Sequence, residues 1–431
     1  MSIGTLYAEV ILDEPGLVHC GNGDPVTGHV AIRYQPSSKN ATTELFGPLK
    51  IFVTLQGRAK TKIWISRGQS SRTYRGRAPL LARRMLVYND SFRAQPKETR
   101  TFPFSLTFPD IADVLMVDDF MEDSRFTCQK HQVLPPSFQS SGRSLGQRYE
   151  AFVEYSVAVN ADMPQLQVDV RSPINYEAPV VQYERPRVPQ RAKRRLYDWR
   201  GYVSLSNELL LPESDRPTGF KQKTKAFFGA TQFPTYAFDW VCLAPKDIYL
   251  GLPACFEVQI KPREQECTAV LVPQVWLKYF RIEITGHTLV RAERTIFRCP
   301  ESEGHQTVLQ LEGAITNQSD PFSKGNENTK IINTLALGSA NMGTFGSTFS
   351  TYNISRSYSV KIKLGFEITD DVRRVEHEYA VMVHAPPDTE TVPTAAVAGP
   401  STQPPDAGNT TSDLPQYEEL PPYEPGPAGR A

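Results

Sequence analysis

Four groups of residues carry side chains able to do chemistry. Cys128-Gln129-Lys130-His131 sets a thiol and an imidazole at the spacing of half a metal site. A structural zinc needs four ligands, and no second pair stands at finger distance, so no metal is expected. His19 and Cys20 are neighbours. A nucleophile and its base also need an orienting acid and a pocket, and the sequence supplies neither. Asp119 and Glu122, beside Met121, read as an acidic surface loop. There is no phosphate loop and no nucleophile elbow. Neither catalysis nor a cofactor is therefore expected. The fourth group points to binding instead. Leu414-Pro415-Gln416-Tyr417-Glu418-Glu419-Leu420-Pro421-Pro422-Tyr423 repeats one pattern, Leu-Pro-x-Tyr. Proline fixes φ and favours polyproline II, which has already lost much of the entropy that binding would cost. Tyr417 and Tyr423 are six residues apart. That is two turns, so both project from one face about 19 Å apart.

Aromatic-lined grooves, such as those of WW domains, read this combination of proline, extended backbone and tyrosine. Leu-Pro-x-Tyr resembles a variant of the Pro-Pro-x-Tyr ligand of WW domains. Leu414, Pro415, Tyr417, Leu420, Pro421 and Tyr423 are the candidate docking residues. One copy in a proline-rich acidic segment is a common chance match, but two copies within ten residues are not. Thr410, Thr411 and Ser412 precede the first copy, where phosphates would add negative charge.

The chain of 431 residues balances 47 basic against 47 acidic side chains. Such a length carries two core-bearing domains and a tail. Zero net charge argues against wholesale nucleic-acid binding. The 35 prolines suit strand edges, loops and linkers more than long helices. Cys20, Cys128, Cys242, Cys255, Cys267 and Cys299 have no framework spacing. The start lacks a basic region and a continuous apolar run, and no window approaches the ~20 apolar residues of a membrane span. A cytosolic protein with reduced thiols is expected, so the sequons at Asn40 and Asn353 carry no glycan.

Short apolar runs separated by turn residues dominate the body. Tyr7–Leu12 and Gly28–Tyr34 flank Pro15-Gly16 and Gly21-Asn22-Gly23-Asp24-Pro25. Ile51, Val53 and Leu55 alternate on one face, closed by Gly57. Residues 66–84 are basic and are expected as a long loop or edge. Leu80–Leu86 is the best helical candidate, at about two turns. Pro103 within Thr101–Pro109 suits an edge strand. Val153, Tyr155, Val157 and Val159 share a face at period two, as do Tyr358, Val360, Ile362, Leu364, Phe366 and Ile368. Tyr379, Val381 and Val383 form the last strand. The pattern predicts an all-β fold of sandwiches. Proline and basic residues at 184–200 mark a domain junction. Residues 386–431 lack periodicity and are expected to be a disordered proline-rich tail.

Several stretches, in order, resemble the alpha-arrestins, or arrestin-related trafficking adaptors. Gly23-Asp24-Pro25-Val26-Thr27-Gly28-His29-Val30 resembles the family's opening hairpin. Leu49–Ala59 resembles its third strand, and Phe102-Pro103-Phe104-Ser105-Leu106 its Phe-Pro-Phe strand. Leu134-Pro135-Pro136-Ser137-Phe138 with Tyr149–Val159 is similar to its Leu-Pro-x-Ser-Phe segment and the strand after it. Ser347–Ile354 resembles the close of its second domain. The resemblance implies two arrestin-like β-sandwich domains, 1–183 and 201–385, joined by the basic junction 184–200. It further implies a non-enzymatic cytoplasmic adaptor, peripheral to plasma membrane or endosomes. Its body meets the cytosolic tails of membrane transporters or receptors, and its tail recruits a WW-domain HECT ubiquitin ligase. The alternative is a signalling or sorting scaffold of the same fold that is only a ligase substrate. Neither motif begins with the commoner proline, and two outcomes stay open: pairing supplies strength through effective concentration, or, with only Glu418 and Glu419 between the motifs, two WW domains crowd one another. The last lysine is Lys363, so ubiquitin acceptors must lie on the body. Lys221, Lys223, Lys225, Lys324 and Lys330 are the candidates, the last two in a polar loop-like region. Arg185, Arg187, Arg191, Lys193, Arg194 and Arg195 are candidate contacts to an anionic membrane.

Overall fold

The computed structural model describes residues 4–384 except 20–22, 38–43, 68–69, 110, 113–119, 127–132, 145, 164–167, 172–176, 183–195, 218–231, 251, 296–298, 315–321, 323–328 and 334–345. The expected tail at 386–431 and most of the junction at 184–200 therefore lie outside the described residues. Strands dominate. The only helical segments among the described residues are single 3-10 turns at Glu208–Leu210, Glu213–Asp215 and Glu264–Glu266.

The first half contributes β1 (Gly4–Leu12), β2 (Val18–His19), β3 (Pro25–Pro36), β4 (Leu45–Arg67) and β5 (Ser70–Ala94). These are followed by β6 (Thr99–Thr107), β7 (Phe138–Ser144), β8 (Gln147–Asp162), β9 (Val168–Arg171) and β10 (Glu177–Gln182). One sheet runs β6-β3-β1-β9, and the other runs β2-β10-β8-β4-β5 with β7 beside β8. The second half supplies β11 (Leu196–Ser206), β12 (Thr235–Pro245), β13 (Asp247–Tyr249), β14 (Cys255–Pro262) and β15 (Val275–Arg291). It continues with β16 (Glu301–Ala314), β17 (Thr329–Asn333), β18 (Phe349–Ser350), β19 (Ile354–Ile368) and β20 (Asp371–His384). Its sheets run β11-β12-β14-β17 and β13-β20-β19-β15-β16, with β18 beside β19.

The two halves repeat one topology. Strands β17-β14-β12 take the places of β6-β3-β1. Strands β13-β20-β19-β15-β16 take those of β2-β10-β8-β4-β5, and β18 that of β7. Both short strands β2 and β13 pair in parallel, with β10 and β20. The difference is the fourth strand of the smaller sheet. In the first half it is β9, parallel to β1 and late in sequence. In the second it is β11, antiparallel to β12 and early.

Each half buries a core between its two sheets, and the first core also takes in Val290, Ala292, Tyr352 and Ile354 of the second half. Leu6, Val30 and Ile32 face Ile51, Val53, Leu55 and Val157 in the first cluster. Phe238, Trp240 and Val258 join Ile282, Ile284, Val360 and Ile362 in the second. This is the sandwich arrangement that half-buried antiparallel strands demand. Full burial of each such side chain stabilises by about 1.5–3 kcal/mol. The alternating faces expected on β8 and β19 are the buried ones. Pro103 lies in β6, an edge strand, where a missing N–H disturbs only one side.

Of the loop or edge expected for the basic stretch, 70–84 form the edge. One expectation is corrected: residues 80–86 are not helical but belong to β5, the edge strand of its sheet. The reason is a β-bulge. Gly57 opposes Leu81 and Arg58 opposes Pro79, which leaves Leu80 as the extra residue. Leu80 and Leu81 consequently both face the core, and two adjacent buried leucines imitate a helical period.

Gly57 also meets the ring of Tyr155. A Cβ there would lie 2.5 Å from Tyr155 Cε1. The ring cannot move away freely, because its buried hydroxyl donates to the Pro135 carbonyl at 2.6 Å. Burial also pushes the phenol well above its usual range, so it stays a donor. We expect Gly57→Ala to destabilise the protein by about 1–3 kcal/mol. Urea unfolding checks this, and an unchanged midpoint would show that the ring is not held.

Candidate functional site at the seam between the halves

Apart from His19, the polar side chains buried among the described residues do not scatter. Thr61, Thr288, Arg291, Ser302, Ser347, Thr351, Asn353 and Arg356 lie along one seam. There the end of β15 and the start of β19 meet β4 and β5 of the first half. β4 presents Ala59 and Thr61, and β5 presents Arg75, Gly76 and Arg77.

Backbone groups that have run out of strand partners are satisfied across this seam. Thr61 Oγ1 donates to the Arg291 carbonyl at 2.7 Å. Asn353 Nδ2 donates to the Ala59 carbonyl at 3.0 Å. Glu293 N–H donates to the Arg75 carbonyl at 3.0 Å. Arg77 N–H returns a bond to Glu293 Oε1 at 3.0 Å. A tight turn places Asn353. The Thr351 N–H donates to the Ile354 carbonyl at 2.7 Å. Thr351 Oγ1 accepts from the Ile354 N–H at 2.9 Å. Gly76 leaves the room: a Cβ there would sit 2.6 Å from Thr61 Oγ1. The Asn353 sequon is thus a buried structural amide, not a glycan acceptor.

Two guanidinium groups are buried among these bonds, each 1% exposed. Arg291 Nε donates to the Tyr352 carbonyl and Nη1 to the Met121 carbonyl. Its carbon lies 4.3 Å from the Phe126 ring centroid and 5.3 Å from that of Phe120. Arg356 Nη1 donates to Thr288 Oγ1 at 2.6 Å, and Nε to the Tyr358 hydroxyl at 3.1 Å. Its Nη2 makes no hydrogen bond. Carbonyls around Arg291, hydroxyls around Arg356 and aromatic faces at both therefore solvate the two charges. Among the described residues no carboxylate pairs with Arg356. At the rim, Arg125 bridges Asp123 at 2.6 Å and Glu301 of β16 at 2.9 Å. The hydrogen bond from Arg125 lowers the Asp123 carboxyl to about 2.

Such a set holds two β layers in one relation; arginine offers no proton to exchange near neutral pH. Burial pushes the Cys242 thiol up to about 12. His19 is buried against Phe108, at 5.6 Å between ring centroids, and burial lowers its basicity.

The residues singled out from sequence fall mostly elsewhere. Leu414, Pro415, Tyr417, Leu420, Pro421 and Tyr423 lie outside the described residues. So do Lys221, Lys223, Lys225, Lys324, Arg185, Arg187, Arg191, Lys193, Arg194 and Arg195, and the pair Cys128 and His131. Lys330 was expected in a loop. It lies in β17, paired with Val258, because 329–333 continue the smaller sheet. Sequence reasoning missed Arg291 and Arg356. A signal existed for the second: Arg356 stands in phase with Ile354, Tyr358 and Val360, on the inward face of an alternating strand. No protein-family model matches the chain, and no curated protein matches it.

The seam makes a contrast. Arg291→Met leaves the Tyr352 and Met121 carbonyls without their donor and should cost about 2–4 kcal/mol. Arg356→Met removes a buried charge with one idle donor and should be neutral or stabilising within about 1 kcal/mol. Paired denaturant titrations decide, and equal losses would refute the contrast.

Proposed function

We propose that this chain is a non-enzymatic adaptor. In this reading its C-terminal motifs recruit a WW-domain HECT ubiquitin ligase to the cytosolic tails of membrane transporters or receptors, promoting their ubiquitination and endocytosis. The observation that carries the proposal is the pair of Leu-Pro-x-Tyr motifs, 414–417 and 420–423, following an all-β body. The ordered stretches that resemble alpha-arrestins support the rest. The repeated two-sheet topology is what two arrestin-like sandwiches, 1–183 and 201–385, would require. No helix among the described residues is long and apolar enough to cross a membrane. In this reading the protein is peripheral to the membrane, with the basic residues at 185–195 as the surface for anionic lipid.

The two motifs share one face and one ligase. After the first WW domain docks, the second binds at an effective concentration set by a two-residue spacer. Residues 364–431 contain no lysine, so a docked ligase must reach body lysines such as Lys330 or the cargo itself.

A peptide spanning residues 408–428 should bind WW domains saturably at micromolar concentration. Tyr417→Ala with Tyr423→Ala should abolish that binding. Deleting the tail from the full chain should then stabilise a transporter. Absence of WW binding would remove the ubiquitin mechanism. Stabilisation of this chain alone would make it a ligase substrate rather than an adaptor.

A further inference from the structure

β15 and β16 pair with His287 directly opposite His305. Glu303 stands two residues from His305 on the same face of β16. The two imidazoles meet edge to face, with Nδ1 atoms 2.7 Å apart. A donor atom from each of His287, Glu303 and His305 lies within 4.8 Å of the others. On its far side His287 Nε2 lies 2.8 Å from Ser359 Oγ, on β19. Glu303 Oε1 lies 3.8 Å from His305 Nε2.

We propose that His287, His305 and Glu303 form a binding site for a late first-row divalent cation, with zinc as the expected occupant. A neutral imidazole carries one N–H. With that proton on Nε2, His287 donates to Ser359 and turns its Nδ1 lone pair toward His305. The hydroxyl then fixes the ring and tautomer, as the outer partner of a metal-bound histidine does. With its proton likewise on Nε2, His305 presents a second Nδ1 lone pair to the first. Two lone pairs at that distance must share either a proton or a cation. Glu303 and Glu378 add negative charge around the His287 ring.

The fit is close. Zinc–nitrogen bonds of about 2.0–2.1 Å in a tetrahedron set the two nitrogens about 3.3 Å apart. His305 must swing outward by less than an ångström, and the exposed Glu303 carboxylate must turn from His305 Nε2 toward the two Nδ1 atoms. The His305 side chain is 57% exposed, and β16 is the edge strand, so nothing in the core resists. Two nitrogens and one carboxylate oxygen suit zinc or copper and disfavour calcium and magnesium, which take oxygen shells. Three protein ligands leave a position for water. The bound ion would clip the last strand of the larger sheet to its neighbour.

The test uses the full chain, stripped with chelator under reducing conditions and titrated with zinc by calorimetry. Wild type should bind one more equivalent than His305→Ala, whose lost side chain is exposed and leaves the fold intact by circular dichroism. Glu303→Gln should keep the equivalent but weaken it at least tenfold. Calcium and magnesium should give no heat at this site. Equal stoichiometry and affinity in wild type and His305→Ala would overturn the proposal and assign any bound zinc to the cysteines.

Discussion

The protein's body depends on how two charged guanidinium groups are kept out of water. A guanidinium in an apolar interior is costly unless its donors are met. Arg291 is met by the carbonyls of Tyr352 and Met121, which belong to different halves, and by the faces of Phe120 and Phe126. Those carbonyls can be in place only if the turn at 351–354 and the segment around 121 both pack against the end of β15. The charge therefore couples three distant pieces of chain. Thr61 and Asn353 extend the coupling to β4 and β5. The first core cluster registers the same fact in apolar terms, since it includes Val290, Ala292, Tyr352 and Ile354 of the second half.

The repeated topology gives this seam its asymmetry. β4 and β15 occupy equivalent places in their sheets, as do β8 and β19. Contact between the halves nevertheless joins the middle of the β4–β5 hairpin to the end of β15 and the start of β19. The hairpin is long enough to serve both purposes: β4 spans 23 residues and β5 spans 25. One part covers the first core, and the rest reaches the second half. Bulges at Val87 and Leu80 let so long a ribbon twist without losing its register. Arg356, by contrast, spends only two of its donor nitrogens, on Thr288 and Tyr358. A charge held with a spare donor buys position rather than stability.

The fold class was legible because half-buried strands write their burial into alternate residues. β8 and β19 could be read residue by residue, and Pro103 announced its edge. Leu80 and Leu81 misled because a bulge places two neighbours on one face. Lys330 was placed in a loop because β17 is short and polar outside Ile331 and Ile332. His287, Glu303 and His305 went unremarked for another reason. Cross-strand neighbours are separated by whatever loop joins their strands, and spacing along the chain carries no trace of the pairing. The Cys128–His131 spacing was visible because it is local.

By itself the sequence determined what is local: the strand periods, the turn glycines such as Gly16 and Gly23 with their positive φ, and the proline-tyrosine motifs of the tail. Each is a property of a few consecutive residues, fixed by backbone sterics and side-chain alternation. Only the tertiary structure decided which strands pair, that the two halves share a topology, and that Arg291, Arg356 and Asn353 meet β4 and β5. Those outcomes depend on contacts between residues hundreds of positions apart, such as Asn353 and Ala59. Their free energy comes from burying and satisfying polar groups together, which no single stretch of chain can express.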